Sequence, residues 1–291
     1  MKQNDPSILL AGSTGYLGRH LVRELLASSR SFRAIARNPK PLLDLGVAPD
    51  DIEPRLVTEP DTLVGICEGI DTVISTVGIT RQKDGLTYMD VDYQANRNLL
   101  DEAIRAGVRK FIYVSALLGE NLRHLKIFEA KERFVDELKA SGLDYTIVRP
   151  NGFFSDMADF LKMAERGRVY LFGDGSRKLN PIHGADLARV IIESIDGNET
   201  TLEVGGPEVL SHEEIATLAL KANGKKPRIL HLPDWIRRFA ISQARRFTPV
   251  EVYGPLEFFL TTMQSDYVAP QHGSHHLGDF FASQVQSPSQ L

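Results

Sequence analysis

The sequence predicts a doubly wound α/β fold built on a parallel sheet. Short apolar runs alternate with segments of helical period through the first half of the chain. The runs are apolar along their whole length, as strands covered on both faces are. The first run leads at once into a glycine-rich turn that opens a helix. Repeated β-α-β units then require right-handed crossovers.

In chain order, strands are expected at Ser7–Ala11, Phe32–Ala36, Pro54–Val57, Thr72–Thr76, Lys110–Ser115 and Tyr145–Val148. Helices are expected between them at Tyr16–Ser28, Asp61–Cys67, Leu86–Ala106 and Leu125–Ser141. After Arg149-Pro150 the pattern changes. Gly173-Asp174-Gly175 and Gly205-Gly206-Pro207 punctuate shorter elements, with helices expected at Ala185–Ile195, His212–Ala222 and Pro233–Ala244. Residues 1–150 therefore read as the core domain, and 151–291 as a smaller lobe packed on it. Ser283–Leu291 reads as a loose tail. There is no internal repeat and no low-complexity tract.

Composition narrows the class. Of the 291 residues 42% are hydrophobic, enough for a sizeable core. A formal charge of −4 gives no global basic field, so no nucleic-acid partner is expected. The one cysteine, Cys67, excludes an internal disulfide and fits a reducing compartment. Ile8–Ala11 is too short for the apolar region of a signal peptide, and the run around Phe258–Leu260 is far below a membrane span. A cytoplasmic protein is expected.

Gly12-Ser13-Thr14-Gly15-Tyr16-Leu17-Gly18 has the form G-x-x-G-x-x-G between an apolar strand and a helix. Glycines allow a tight turn and close approach of backbone to a pyrophosphate. The helix N-terminus adds free N–H groups and the positive end of its dipole. A plain glycine turn would explain three glycines alone; position, flanks and the following strand together indicate dinucleotide binding. Arg37 ends the second expected strand, about twenty residues on, where NAD-preferring sites carry an acid for the ribose 2′-hydroxyl. An arginine suits a 2′-phosphate, with Arg33 as a possible helper. NADP is thus expected over NAD, although a solvated surface arginine is the plainer reading.

Over roughly Ile8–Ile195 the chain resembles the atypical short-chain dehydrogenases/reductases of the NmrA-like, NAD(P)H-binding group, which have the Rossmann fold. The resemblance rests on the glycine loop together with Thr76-Val77-Gly78, Asn96 within Tyr93-Gln94-Ala95-Asn96, Ser115 within Val114-Ser115-Ala116, Tyr145-Thr146-Ile147-Val148-Arg149-Pro150, and Pro181-Ile182-His183-Gly184-Ala185-Asp186-Leu187-Ala188. It implies that Thr76, Val77 and Gly78 lie beside the cofactor ribose. It also implies that Lys131 holds the ribose or supplies a proton, and that Ser115 orients the substrate. In the family a tyrosine four residues before the lysine is the acid. Here that residue is Ile127, which has no proton to donate. Phe128 does not replace it. His124, one turn further back, has a donor, and Tyr113 shares the strand face of Ser115 but is expected in packing. Isoflavone-reductase-like relatives use the lysine without the tyrosine.

Plainer roles stand beside these. Lys131 shares an amphipathic helix with Glu129, Glu132 and Arg133 and would be solvated there. Ser115 would satisfy a strand end, Asn96 would cap or pin a kink, and Asp186 would be structural at a helix start beside His183. Substrate contacts are expected from Asn151 and Phe153 after the sixth strand, and from Thr80-Arg81-Gln82 after the fourth.

Two functions follow. One is an NADPH-dependent reductase of a small carbonyl or activated double bond. The other is a non-catalytic NADP(H)-binding sensor or accessory protein acting on a protein partner. Sugar-nucleotide epimerisation needs the missing tyrosine and ranks below both. The basic stretch Trp235-Arg246 is expected to lie on its own protein with solvated arginines, without membrane contact. His272, His275 and His276 lack a strong ligand spacing, and no metal is expected.

Overall fold

The computed structural model describes residues 7–79 and 85–286. The chain divides into two compact units: Met1–Arg149 with Leu187–Leu202, and Pro150–Asp186 with Glu203–Leu291. The first unit thus takes in Leu187–Leu202 besides the residues up to 149.

The first unit carries β1 (Ile8–Ala11), β2 (Phe32–Ile35), β3 (Ile52–Glu53), β4 (Thr72–Ser75), β5 (Lys110–Val114) and most of β6 (Asp144–Pro150). Its helices are α1 (Tyr16–Ala27), the short α2 (Lys40–Leu43), α3 (Asn96–Arg105) and α4 (Lys126–Ala140). The second unit carries α5 (Ala158–Glu165), β7 (Val169–Phe172) and β8 (Lys178–Leu179). Then follow α6 (Gly184–Glu193), which continues into the first unit, β9 (Thr201–Val204), β10 (Leu210–Ser211), α7 (His212–Ala222), β11 (Ile229–Leu232), α8 (Asp234–Phe247), α9 (Val250–Thr262) and α10 (Leu277–Gln286).

The main sheet runs β3-β2-β1-β4-β5-β6-β9, and β1 to β6 pair in parallel. The strand order reverses at β1, which is the doubly wound topology expected. Leu9, Val73, Phe111, Tyr113 and Ile147 on one sheet face pack with Leu99, Phe134, Val135 and Leu138 of the helices. The alternate residues Ile8, Leu10, Ala34, Ile74 and Ile112 are also fully buried, on the opposite face. This double burial explains strands without polar alternation.

Four sequence expectations are corrected. The third strand is Ile52–Glu53, not Pro54–Val57, because Pro54 has no N–H for the ladder. Asp61–Cys67 is one 3₁₀ turn, Pro60–Leu63, followed by turns. Leu86–Ala106 is not a single α-helix: Met89–Ala95 is π-helical and only then does α3 begin. Ser283–Gln286 lies within α10 rather than in a loose tail. In the second unit α5, α7 and α10 share a core through Phe160, Leu161, Ile215, Ala219, Leu277 and Phe281. The 13-residue α9, unforeseen, carries Pro255 in its interior, a residue that reads as a helix breaker.

Asn96 accounts for the π-helical turn. Its fully buried amide donates to the carbonyls of Val91 (3.2 Å), Asp92 (3.0 Å) and Val77 (3.1 Å), and its Oδ1 accepts from the Ser75 hydroxyl at 2.5 Å. One side chain thereby serves the carbonyls of the widened turn and ties them to the end of β4. Asn96→Ala removes these four bonds from a buried site. It is expected to cost about 2–4 kcal/mol, read by urea unfolding; a loss below about 0.5 kcal/mol would remove the pinning role.

Candidate functional site

The glycine loop forms as the motif requires. The Gly15 N–H closes a tight turn on the Gly12 carbonyl at 3.1 Å. Gly12 has φ +79°, and a Cβ there would stand 2.4 Å from the Thr76 hydroxyl, so only glycine fits. That hydroxyl lies 3.2 Å from the carbonyls of both Ala11 and Gly12, which fastens the β4 end to the loop. Ser13 is buried and donates to the Ile35 carbonyl at 2.6 Å, drawing the loop to the end of β2.

The N-cap of α1, Gly15, is extended, no side chain caps it, and the first turn carries no acid. The first-turn amides of a helix have no intrahelical partner. An uncapped helix start without a carboxylate fits a pyrophosphate. Leu17 and Val77 are buried, whereas Thr14 is exposed and Tyr16 meets His20 edge-on at 5.2 Å. Arg37 is exposed just past β2, next to where Ser13 is anchored. Arg33 is occupied instead: it donates to the Glu68 carbonyl at 2.5 Å and lies 3.7 Å from Glu53.

Lys131 is not a solvated lysine. Its Nζ stands 2.8 Å from Oδ1 of Asp92, whose side chain is fully buried, and Asp92 Oδ2 accepts the Ile79 N–H at 3.2 Å. Nζ also approaches Tyr113, 5.7 Å from the ring centroid. Burial opposes the ammonium, but the charge and contact of Asp92, together with those of Tyr113, outweigh it and hold Lys131 above the ordinary lysine range. A Cβ on Gly78 would fall 2.6 Å from Asp92 Oδ1 and 2.8 Å from Lys131 Nζ, so the glycine leaves room for the pair. Ile127, one turn before Lys131, is buried. Tyr113 is also wholly buried, and burial pushes its phenol up, out of reach of acid catalysis. His124 is exposed and precedes α4.

Ser115 has a partner the sequence did not show. Its hydroxyl donates to Glu132 Oε1 at 2.9 Å, and Arg149 grips the same carboxylate through two bonds of 2.7 and 2.8 Å. The Ser115 proton is therefore committed inside a buried network. Asp92 and Glu132 were not foreseen as partners. A signal for Asp92 did exist, since it falls one and two turns before Ala95 and Leu99 on an apolar stripe.

In the second unit the Asn151 amide is buried and donates to Asn180 Oδ1 at 2.8 Å and to the Tyr267 carbonyl. Phe153 is half-buried at the start of a 3₁₀ turn, and Phe154 is buried against His183 and Phe280. Thr80, Arg81 and Gln82 lie outside the described residues. His275 pairs with Asp186 at 2.9 Å and stacks on His183 at 4.1 Å, while His276 pairs with Glu208 at 3.1 Å. Asp186 also accepts the N–H groups of Ser274 and His275. Among the described residues no cluster has the makings of a metal site.

A parallel doubly wound sheet with an uncapped glycine loop at the end of its first strand defines a Rossmann-type nicotinamide dinucleotide binder. Residues 12–198 match the NAD(P)H-binding family model, and the chain belongs to that family. It is 29% identical to the chloroplastic divinyl chlorophyllide a 8-vinyl-reductase of Arabidopsis thaliana, over 97% of this chain and 77% of that protein. It is 27% identical to the photosystem II assembly factor Ycf39 of Guillardia theta, over 78% of this chain and 73% of that one. The NADPH-dependent quinone oxidoreductase QOR2 of Escherichia coli, solved with NADPH, has the same fold. The TM-score is 0.74 at 17% identity, covering 96% of this chain and 99% of that one. No described helix is long and apolar enough to cross a membrane.

Asp92→Asn strands a buried ammonium and is expected to cost about 3–5 kcal/mol in urea unfolding. The paired replacement Asp92→Leu with Lys131→Met should recover most of that. Because the folded lysine pKa is raised, the lysine's contribution in the native protein is complete below the ordinary lysine value of about 10.4 and fades as pH climbs through the folded value, while burial pushes the Asp92 carboxyl up and favours its protonated form on the acid side. Without Asp92, burial lowers the lysine, so the stability deficit of Asp92→Asn relative to the native protein should shrink as pH rises from about 6 toward the ordinary lysine value. A deficit that stays the same across that range contradicts the pairing.

Proposed function

We propose that the protein is an NADP(H)-dependent reductase whose acceptor is an activated, conjugated double bond rather than an isolated carbonyl. The carrying observation is that buried Ile127 occupies the acid position while Lys131, one turn on, is held as an ammonium by Asp92. When bound, the nicotinamide supplies a hydride. Reduction of an isolated ketone leaves an alkoxide that must be protonated as it forms, and Ile127 has no proton for it. A conjugated acceptor spreads the charge, an ammonium can stabilise it, and water can protonate it afterwards. The vinyl reductase activity named for the Arabidopsis relative supports this reading.

The first-turn amides of α1 would hold the pyrophosphate, Arg37 the 2′-phosphate, and Lys131 the nicotinamide ribose, with Thr76 and Gly78 beside it. Ser115 is a positioning residue here, acting through Glu132, since its proton is already given away. Asn151 and Phe153 remain candidates for shaping the substrate side through their backbone and ring. The lone thiol, buried Cys67, is pushed up to about 12 by burial and takes no part; we place the protein in the reducing cytoplasm.

One observation favours a second reading. Both polar groups of the expected catalytic set, Lys131 and Ser115, are engaged within the protein. A non-catalytic NADP(H) binder that reports its occupancy to a partner protein would look the same, and a relative is named an assembly factor.

Purified protein with NADPH and a panel of conjugated enones, quinones and simple ketones separates the readings by loss of nicotinamide absorbance. Turnover is expected with a conjugated acceptor, falling at least about tenfold in Lys131→Ala. Micromolar NADPH binding in calorimetry with no turnover on any acceptor assigns the accessory role instead. Arg37→Asp should lower the NADP-to-NAD affinity ratio by about tenfold or more; an unchanged ratio removes Arg37 from the site.

A further inference from the structure

The helix α8 packs against α9, but none of its residues is buried. Its exposed positions are Trp235, Arg238, Phe239, Ser242, Arg245, Arg246 and Phe247, with no acid among them. Trp235, Phe239 and Phe247 are 61%, 59% and 71% exposed, far more than large aromatic side chains usually are. At 100° per residue Trp235, Phe239 and Arg246 share one stripe, flanked by Arg238 and Ser242. The next helix, α9, packs against α8 and adds Val252, 55% exposed, and Leu256.

Charge is segregated to the same part of the chain. From Lys221 to Arg246 there are eight lysines and arginines against one carboxylate, Asp234. That is a formal +7 within a chain of net −4, so the remainder carries −11. Asp234 is already shared by Arg237 (2.6 Å) and Arg238 (3.1 Å). Arg245 bonds Glu257, while Arg246 lies over the Phe247 ring at 5.6 Å.

Exposed aromatic rings interleaved with guanidinium groups match the boundary between headgroups and acyl chains. The rings enter the apolar edge and the cations meet anionic lipid. Protein interfaces also favour aromatics and arginine, but eight cations against one carboxylate over residues 221–246 favour a surface that is anionic throughout. We propose that the outward face of α8, extended by α9, docks the protein peripherally on a lipid surface rich in anionic headgroups. The face belongs to the second unit and the residues assigned to the dinucleotide to the first, and the proposal does not depend on the reductase reading.

Trp235 is the only tryptophan of the chain, so its emission reports this face alone. The intact protein is titrated with vesicles of phosphatidylcholine, and of phosphatidylcholine with phosphatidylglycerol, at low and high salt. Binding is followed by Trp235 emission and by co-sedimentation. With anionic vesicles at low salt the emission should shift to the blue and the protein should sediment; high salt should release most of it. Arg238→Gln with Arg246→Gln should weaken partitioning about tenfold, and Phe239→Ser by a similar factor, with unchanged melting temperature. Equal binding to neutral vesicles overturns the proposal, as does an unshifted emission with the protein left in solution. A blue shift that depends on protein concentration without lipid would mark the face as a contact between two copies, and equally overturns it.

Discussion

The site turns on an ion pair between two side chains that water barely reaches. Asp92 is fully enclosed and Lys131 nearly so, and neither charge is tenable there without the other. Their meeting has requirements from three directions. The π-helical turn must present Asp92 inward, Gly78 must lack a side chain, and α4 must bring Lys131 one turn past Ile127. The pair in turn fixes the ammonium beside the loop that leaves β4, where the family resemblance places the nicotinamide ribose. Removing a partner would therefore disturb fold and site together.

A second buried carboxylate, Glu132, follows Lys131 directly in sequence and points to the opposite neighbour. It gathers Arg149 from β6, the Ser115 hydroxyl and, through Arg149, the Ala116 carbonyl. Consecutive residues on α4 thus anchor both ends of the region where chemistry would occur: one through a charge that stays available at its margin, the other through a network that engages the Ser115 hydroxyl and both terminal nitrogens of Arg149. This asymmetry is the physical basis for giving Lys131 the more direct role and Ser115 an indirect one.

Much of this was legible in the sequence because local rules agreed with the fold. Apolar runs of four or five residues marked strands buried on both faces, and the glycine loop appeared where a strand meets a helix. The boundaries of α7 were predicted residue for residue, since Ser211 and Glu214 form a capping box that the chain announces locally. What escaped was whatever depends on partners distant in sequence. Lys131 reads as one charge among several on an amphipathic helix until Asp92, 39 positions earlier, arrives beside it. The π-helical turn has no compositional signature, and Asn96 gave only a hint of a pinned kink. On α8 the periodicity was visible, but whether its aromatics faced protein or solvent was not.

The widened turn at Met89–Ala95 has an evolutionary corollary. A π-helical turn is what a helix forms when it accommodates one extra residue without changing register on either side. Losing a single codon from Tyr93 to Ala95 would restore ordinary α-helical spacing and swing the upstream side chains by about 100° around the axis. Asp92 would then leave its pocket while every apolar contact of α3 stayed where it is. Descendants of such an indel would keep the glycine loop but would have to rehouse or discard the lysine, which makes the length of this one turn a heritable setting for the site.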